Sequence, residues 1–194
     1  LLMDPEIPIV SIIGRAGSGK TLLALAAGLE QVLEERSKKY KKLVVSRPIQ
    51  PVGKDIGFLP GTLEEKMSPW LMPVQDNLEY LMAGNKSTME LMFENGTIEI
   101  EALSYIRGRS ISNAYIIIDE AQNLSIHELK TIITRVGENT KIILTGDIEQ
   151  IDNVYLDATS NGLSHAIERF KSQPLAGHIT LKKGERSKTA TLAA

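Results

Sequence analysis

The sequence predicts an α/β fold, a mostly parallel sheet with helices on both faces. Three observations predict it. Short apolar, β-branched runs alternate along the chain with amphipathic helical spacings. The first run, Ile7–Ile13, enters a glycine-rich loop that opens a helix. A later run, Tyr115-Ile116-Ile117-Ile118, ends in two adjacent carboxylates, Asp119 and Glu120. No internal repeat or low-complexity segment interrupts the alternation.

With 194 residues the chain is long enough for one domain with a full core, and residues 1–194 are read as such a domain. Hydrophobic residues make up 42% and charged residues 24%, which fits a globular chain. The net charge is −2, from 22 basic and 24 acidic residues, so nucleic-acid binding would have to come from local patches. There is no cysteine. Disulfides and cysteine-ligated metal are therefore excluded, and a cytoplasmic location is expected. No apolar run reaches transmembrane length, and no signal peptide is visible, so no membrane association is expected. The chain starts at Leu1 rather than at methionine, which fits an excised domain.

Gly14-Arg15-Ala16-Gly17-Ser18-Gly19-Lys20-Thr21 matches G-x-x-x-x-G-K-[ST], the phosphate-binding loop. Its residue types follow from the ligand. A triphosphate carries dense negative charge, and backbone N–H groups in a tight turn can surround it. Glycine allows that turn without a Cβ in the way. Lys20 reaches the β- and γ-phosphates, and the Thr21 hydroxyl sits on Mg²⁺. The strand before the loop and the helical stripe after it (Leu22, Leu25, Leu29, Val32, widened by Ala26 and Leu33) supply the required context. An incidental glycine-rich turn would have neither.

A polar turn with the basic run Lys38–Lys42 follows, read either as a solvated linker or as a phosphate-contacting patch. Leu43–Ser46 is the second strand. Arg47 stands just past it, on the side where open α/β sheets bind ligands, and Pro48 forces an extended exit. Gly57–Gly61 is a loop. Thr62 and Glu65 form a capping box for a short helix, and Pro73 suits the first turn of another, with Val74, Leu78, Leu81 and Met82 on one side. Five of the six methionines fall within residues 67–92, as core filling or as an adaptable surface. Thr97–Glu101 alternates like a strand. Arg107 and Arg109 flank Gly108, in a surface turn or a phosphate or RNA contact.

At the end of the Tyr115–Ile118 strand, Asp119 can hold the Mg²⁺ shell and Glu120 can orient and deprotonate a water. The bland alternative is a helix N-cap pair. Ser125 and Glu128 make a second capping box, with Ile126, Leu129, Ile133 and Val136 on the core face and Gly137 as the stop. His127 reads as a surface histidine. Lys141–Thr145 is a strand ending in Gly146-Asp147-Ile148-Glu149-Gln150, whose polar groups either sense the γ-phosphate or mark a plain exit. A helix from Asn161-Gly162 points Leu163, Ala166, Ile167 and Phe170 inward, and His178–Leu181 is the last strand.

Gly14–Thr21, Asp119-Glu120-Ala121-Gln122 and Gly146–Gln150 together resemble the first motor domain of superfamily-one helicases. The chain is still more similar to the PhoH-like ATPase family, whose signatures match Ser46-Arg47-Pro48, Gly57–Gly61, Tyr105–Arg109, Asp119–Asn123 and Thr145-Gly146-Asp147. Asp55–Gly61 and Lys183-Gly184-Glu185-Arg186-Ser187 resemble the subgroup in which this ATPase follows an N-terminal PIN nuclease domain. The resemblance implies a RecA-like P-loop core that uses ATP with Mg²⁺. It further implies a ring of subunits, six in number, and single-stranded RNA as partner, with unwinding coupled to cleavage by the PIN domain. No residue of this chain carries the nuclease chemistry.

In that frame the P-loop residues Gly14, Arg15, Ala16, Gly17, Ser18, Gly19, Lys20 and Thr21 bind ATP, and Thr21 with Asp119 holds the metal. Lys20 and Glu120 are catalytic, and Gln150 reports the γ-phosphate. One motor core per chain leaves a second face for the nucleotide to come from a neighbouring subunit, and an arginine donated across that interface would stabilise charge in phosphoryl transfer. The candidates are Arg186, Arg109 and Arg107, in that order. A P-loop small-molecule kinase is the rival enzyme class, and a water-activating Glu120 works against it. A signalling GTPase would carry N-K-x-D after the Walker-B strand, but the Asn-Lys pair Asn85-Lys86 lies before it and lacks the aspartate. A nucleotide-dependent scaffold without motor activity is the remaining alternative.

Overall fold

Parallel pairing throughout sets where the site must be. The computed structural model describes residues 1–34, 36, 38–48, 63–106 and 110–184. The strands are β1 (Ile9–Gly14), β2 (Lys42–Arg47), β3 (Ile98–Ala102), β4 (Ala114–Ile118), β5 (Lys141–Gly146) and β6 (Ala176–Leu181). The helices are α1 (Lys20–Leu33), α2 (Leu63–Leu81), α3 (Lys86–Glu94), α4 (Leu103–Ile106), α5 (Ile126–Ile133) and α6 (Gly162–Phe170), with a 3-10 turn at Ala121–Asn123. The sheet order is β3-β2-β4-β5-β1-β6, and every neighbouring pair runs parallel. All six carboxyl ends therefore emerge on one edge, where open α/β sheets bind ligands. Because β5 lies between β1 and β4, the loops after these three strands meet there.

The period-two side-chain alternation of strands builds two cores. Val10 and Ile12, Leu43 and Val45, Tyr115 and Ile117, and Ile143 face α1, α2 and α3. Val44, Ile116, Ile118, Ile142 and Leu144 face the opposite way, against α4, α5 and α6. Strands β4 and β5 are buried at every position, as a near-continuous apolar run requires when helices cover both faces. Each fully buried isoleucine contributes about 1.5–3 kcal/mol. Tyr40 and Tyr115 stack edge to face under α1, ring centroids 5.7 Å apart, and burial drives the Tyr115 hydroxyl strongly towards its neutral form.

Four expectations change. Residues 63–81 form one long helix that carries Pro73 in its interior, where the sequence places it in a first turn. A proline there removes a helix hydrogen bond. Fully buried Val74 and Leu78 anchor the helix on the core despite that loss. The methionine-rich stretch contains a helix, α3, that the apolar spacing does not single out. Asn85 caps it by accepting from the Thr88 N–H at 3.2 Å. Met82, Met89 and Met92 fill the core as expected, while Met72 is exposed.

On α5, Leu129 and Ile132 carry the burial, and Ile126 faces solvent because it sits on the first turn beside the cap. That helix stops at Ile133 with Thr134 as C-cap rather than at Gly137, whose N–H bonds Ile111 O at 2.7 Å and joins the segment before β4. The Ser125–Glu128 capping box and the Asn161 cap form as the sequence predicts, and His127 is exposed.

The basic run stands away from the nucleotide loop. It lies before β2, at the edge of the sheet opposite the glycine loop, with Lys38, Lys39 and Lys41 exposed and Lys42 paired to Glu99 at 2.8 Å. It is a solvated face with respect to any ligand at the carboxyl edge. The Gly57–Gly61 loop, Thr62 of the first capping box, Arg107, Arg109 and Arg186 lie outside the described residues.

Candidate nucleotide site

The loop after β1 is shaped by what glycine lacks. A Cβ on Gly14 would lie 2.6 Å from Leu181 O and 2.8 Å from Ser18 Oγ. Gly17 and Gly19 take φ of 77° and 84°, the left-handed region that costs other residues most. Gly19 is the N-cap of α1 and offers no side chain to its first turn, so the amide donors there stay available to an anion. Within the loop, Ser18 Oγ is buried without a partner. Lys20 is buried and turns Nζ back onto its own loop, donating to Gly14 O at 2.6 Å and Arg15 O at 3.1 Å. An unsatisfied hydroxyl, open amide donors and a buried ammonium fit a phosphate ligand.

The next wall comes from β4. Asp119 is buried, and its N–H extends the β2·β4 ladder by donating to Ser46 O at 2.8 Å. Its Oδ1 accepts two hydroxyls, Thr21 Oγ1 at 2.8 Å and Thr145 Oγ1 at 2.6 Å. One carboxylate thus joins the starts of α1 and the ends of β4 and β5. A hard cation takes oxygen ligands, and Mg²⁺ in nucleotide sites uses few protein groups because phosphate and water complete its shell. The Thr21 hydroxyl and the Asp119 carboxylate fit that requirement. Among the described residues no cluster of three or more His, Cys, Asp or Glu offers an all-protein metal cage.

Glu120 follows in a left-handed conformation, φ 52° and ψ 39°, the N-cap of the 3-10 turn. That conformation is uncommon for glutamate and indicates local strain held by its surroundings. Its Oε1 faces Arg47 Nη2 at 3.4 Å and its Oε2 accepts from Gln122 Nε2 at 2.6 Å. Gln122 is fully buried and bonds on three sides: it also donates to Gln150 O at 2.9 Å and accepts the Asp147 N–H at 3.1 Å through Oε1. A side chain on Gly146 would sit 2.5 Å from Gln122 Oε1, so this junction needs glycine there.

Asp147 closes the circuit by accepting the Ala16 N–H of the glycine loop at 2.9 Å. Arg15 and Glu149 pair at 3.1 Å across the same two loops, an exposed contact worth little. Asn123, next to Gln122, accepts the N–H groups of Asp152 and Asn153 at 2.8 and 3.2 Å and so fixes the loop beyond.

Ala16, Gly17, Gly19, Lys20, Thr21, Asp119 and Glu120 therefore line one cleft. Arg15 stands at its rim. Gln150 is exposed and lies outside the lining, tied in through its carbonyl oxygen rather than through its side chain. The structure adds Arg47, Pro73 and Asn77 to the wall. Arg47 ends β2, one residue later than the sequence places the strand end, and faces the ligand side as its position predicts. Pro73 and Asn77 reach the wall only through the course of α2, which no local pattern specifies. Gln122 and Thr145 lie within the motifs with no role legible from spacing; each is a polar residue two positions from a strand-end acid, the signal that points to them.

The fold and the site define a P-loop NTPase domain. The family model for PhoH-like proteins matches residues 2–191. The chain belongs to the PhoH-like protein family. It is similar to Protein PhoH2 of Bacillus subtilis (strain 168), 59% identical over 196 residues that cover 100% of this chain and 44% of that protein. It is similar also to Protein PhoH2 of Mycolicibacterium smegmatis (strain ATCC 700084 / mc(2)155), 42% identical over 99% of this chain and 43% of that protein. Protein PhoH of Escherichia coli (strain K12) is 36% identical over 91% of this chain and 49% of its own length. The chain spans less than half the length of these relatives. Among solved structures, the Pif1 helicase from Candida albicans aligns with 94% of this chain and 38% of its own, at 18% identity and a TM-score of 0.42. No helix among the described residues is long and apolar enough to cross a membrane.

Proposed function

We propose that this chain hydrolyses ATP with Mg²⁺ and that its turnover drives single-stranded RNA through a ring of six copies. The observation that carries the hydrolase reading is the meeting of the Thr21 and Thr145 hydroxyls on Asp119 Oδ1, with Glu120 one residue further along the same wall. In this reading the loop amides and Lys20 bind the β- and γ-phosphates, Lys20 leaving Gly14 O and Arg15 O to do so. Thr21 and Asp119 hold the cation, which when bound neutralises charge on the phosphate oxygens. Glu120 takes a proton from the water that attacks the γ-phosphorus. The bond from that phosphorus to the β–γ bridging oxygen breaks, leaving ADP and phosphate.

Gln150 reports the γ-phosphate through Gln122 rather than by touching it, since its carbonyl is the tied group. The ring, the RNA and an N-terminal PIN domain in the longer protein rest on the family resemblance, as does an arginine given in trans by Arg186, Arg109 or Arg107. The cytoplasm is the proposed location. In this reading a neighbouring copy supplies the second wall of the cleft, opposite the P-loop core. The test is ATP turnover with and without single-stranded RNA at fixed salt, alongside mass by light scattering. RNA-stimulated turnover by a ring supports the motor reading. A monomer whose turnover ignores RNA contradicts it.

A further inference from the structure

We propose that Arg47 is a positioning residue that holds the Glu120 carboxylate away from the attacking water. The inference rests on the hydrolase reading above. The contact is built by sheet register. Ser46 pairs with Ile118 in the β2·β4 ladder, and the Asp119 N–H donates to Ser46 O at 2.8 Å, one step further. Arg47 is therefore level with Asp119, and Glu120 lies one residue further along the adjacent parallel strand's exit, within reach of the guanidinium. Arg47 Nη2 donates to Glu120 Oε1 at 3.4 Å while Gln122 Nε2 donates to Oε2 at 2.6 Å. Each oxygen of the carboxylate thus has a protein donor in this state.

A general base must present a lone pair to the proton it takes, and each oxygen here keeps one beside its donor, so the two donors act by setting where the free lone pairs point. The oxygen facing Gln122 is held by a short bond inside a buried three-way junction, so the oxygen facing Arg47 is the one that can be released. The pair has the right strength for a reversible restraint. The side chains are 25% and 30% exposed, and a solvent-accessible pair at 3.4 Å is weak enough to break in each cycle. The left-handed backbone of Glu120 fixes where its carboxylate starts, so loss of Arg47 frees one oxygen without moving the residue. Arg47 is the last residue of β2.

The rival assignment puts Arg47 on the substrate phosphates, since it lines the same cleft as Lys20 and Thr21. The two roles predict opposite signs. Steady-state ATP turnover is measured for the wild-type chain, Arg47→Gln, Arg47→Lys, Glu120→Gln and the Arg47→Gln/Glu120→Gln double variant, each checked for folding by thermal melt. The restraint predicts that Arg47→Gln raises kcat about two- to fivefold, the scale of one exposed ion pair, with little change in KM. Arg47→Lys, which keeps a cation and loses the planar fork, rises less, and the double variant is as inactive as Glu120→Gln alone. A fall in kcat with a rise in KM for Arg47→Gln, or no change at all, overturns the restraint while leaving the hydrolase reading intact. A wild-type chain without turnover, or a Glu120→Gln variant as fast as wild type, overturns both.

Discussion

The Thr21 hydroxyl donates to Asp119 Oδ1 at 2.8 Å across 98 positions of sequence, and Thr145 donates to the same oxygen at 2.6 Å. One carboxylate oxygen therefore ties the P-loop, the acidic strand end and β5 together. If Thr21 and Asp119 hold the cation, nucleotide affinity is Mg²⁺-dependent through them. Titration with a fluorescent ATP analogue, in Mg²⁺ and in EDTA, is predicted to show that dependence in wild type and in Thr21→Ser, and to lose it in Thr21→Val. An unchanged Mg²⁺ effect in Thr21→Val places the cation elsewhere. Asp119→Ala strands two hydroxyls and costs about 1–3 kcal/mol of stability besides.

Gln122 connects what the motifs list separately. Replacing it with leucine keeps volume but leaves the buried Asp147 N–H without its acceptor and takes the donor from Gln150 O. The expected cost is about 2 kcal/mol, read as a fall of about 4–8 °C in the melting temperature. Turnover is expected to fall more than nucleotide affinity, because Glu120 loses its short partner bond. Equal losses in both would make Gln122 a structural residue only.

Lys141 gives a prediction in pH. It is fully buried at the start of β5, and Nζ donates to the carbonyls of Leu1, Asp4 and Ile7 at 2.7–2.8 Å, clasping the N-terminal segment. Burial pulls its pKa down from 10.5 to about 8, opposed by the Asp4 carboxylate. The folded chain then binds fewer protons than the unfolded chain between pH 8 and 10.5. In that window this group adds stability as pH rises, by at most about 1.4 kcal/mol per unit. Chemical denaturation of wild type and Lys141→Met from pH 7.5 to 10 is predicted to show wild type gaining on the variant. The opposite trend means that the three carbonyls hold the ammonium charged throughout.

Ser125→Ala removes the acceptor for the Glu128 N–H and is expected to cost about 1 kcal/mol, seen in thermal melts, with ATP turnover unchanged. A loss of turnover at equal stability would tie α5 to the site.

Much of this was legible because it is local. The glycine loop, the strand-end acids, the Ser125–Glu128 box and the Asn161 cap each declare themselves within a few residues, where spacing alone dictates which groups can meet. The parallel sheet follows from apolar runs too uniform to leave one face in water. What the sequence withheld depends on distant partners. Pro73 looks like a helix start, and only the burial of Val74 and Leu78 keeps it inside α2. Helix α3 meets the core only through the partly buried Met89, Met92 and Phe93, a face too short and too little buried to stand out from its spacing. The three-way junction at Gln122 and the Arg47–Glu120 contact depend on strand order, which no local pattern specifies.

Glu120 carries the central claim, and one comparison tests it most directly: ATP binding and single-turnover hydrolysis by wild type and Glu120→Gln in Mg²⁺. Glutamine keeps the shape and can still contact Gln122, but it cannot take a proton. The account predicts ATP affinity within a few-fold of wild type and hydrolysis slower by about 10²–10⁴-fold, the scale of a lost general base. Hydrolysis at the wild-type rate would contradict it and leave Glu120 as a structural cap on the Ala121–Asn123 turn.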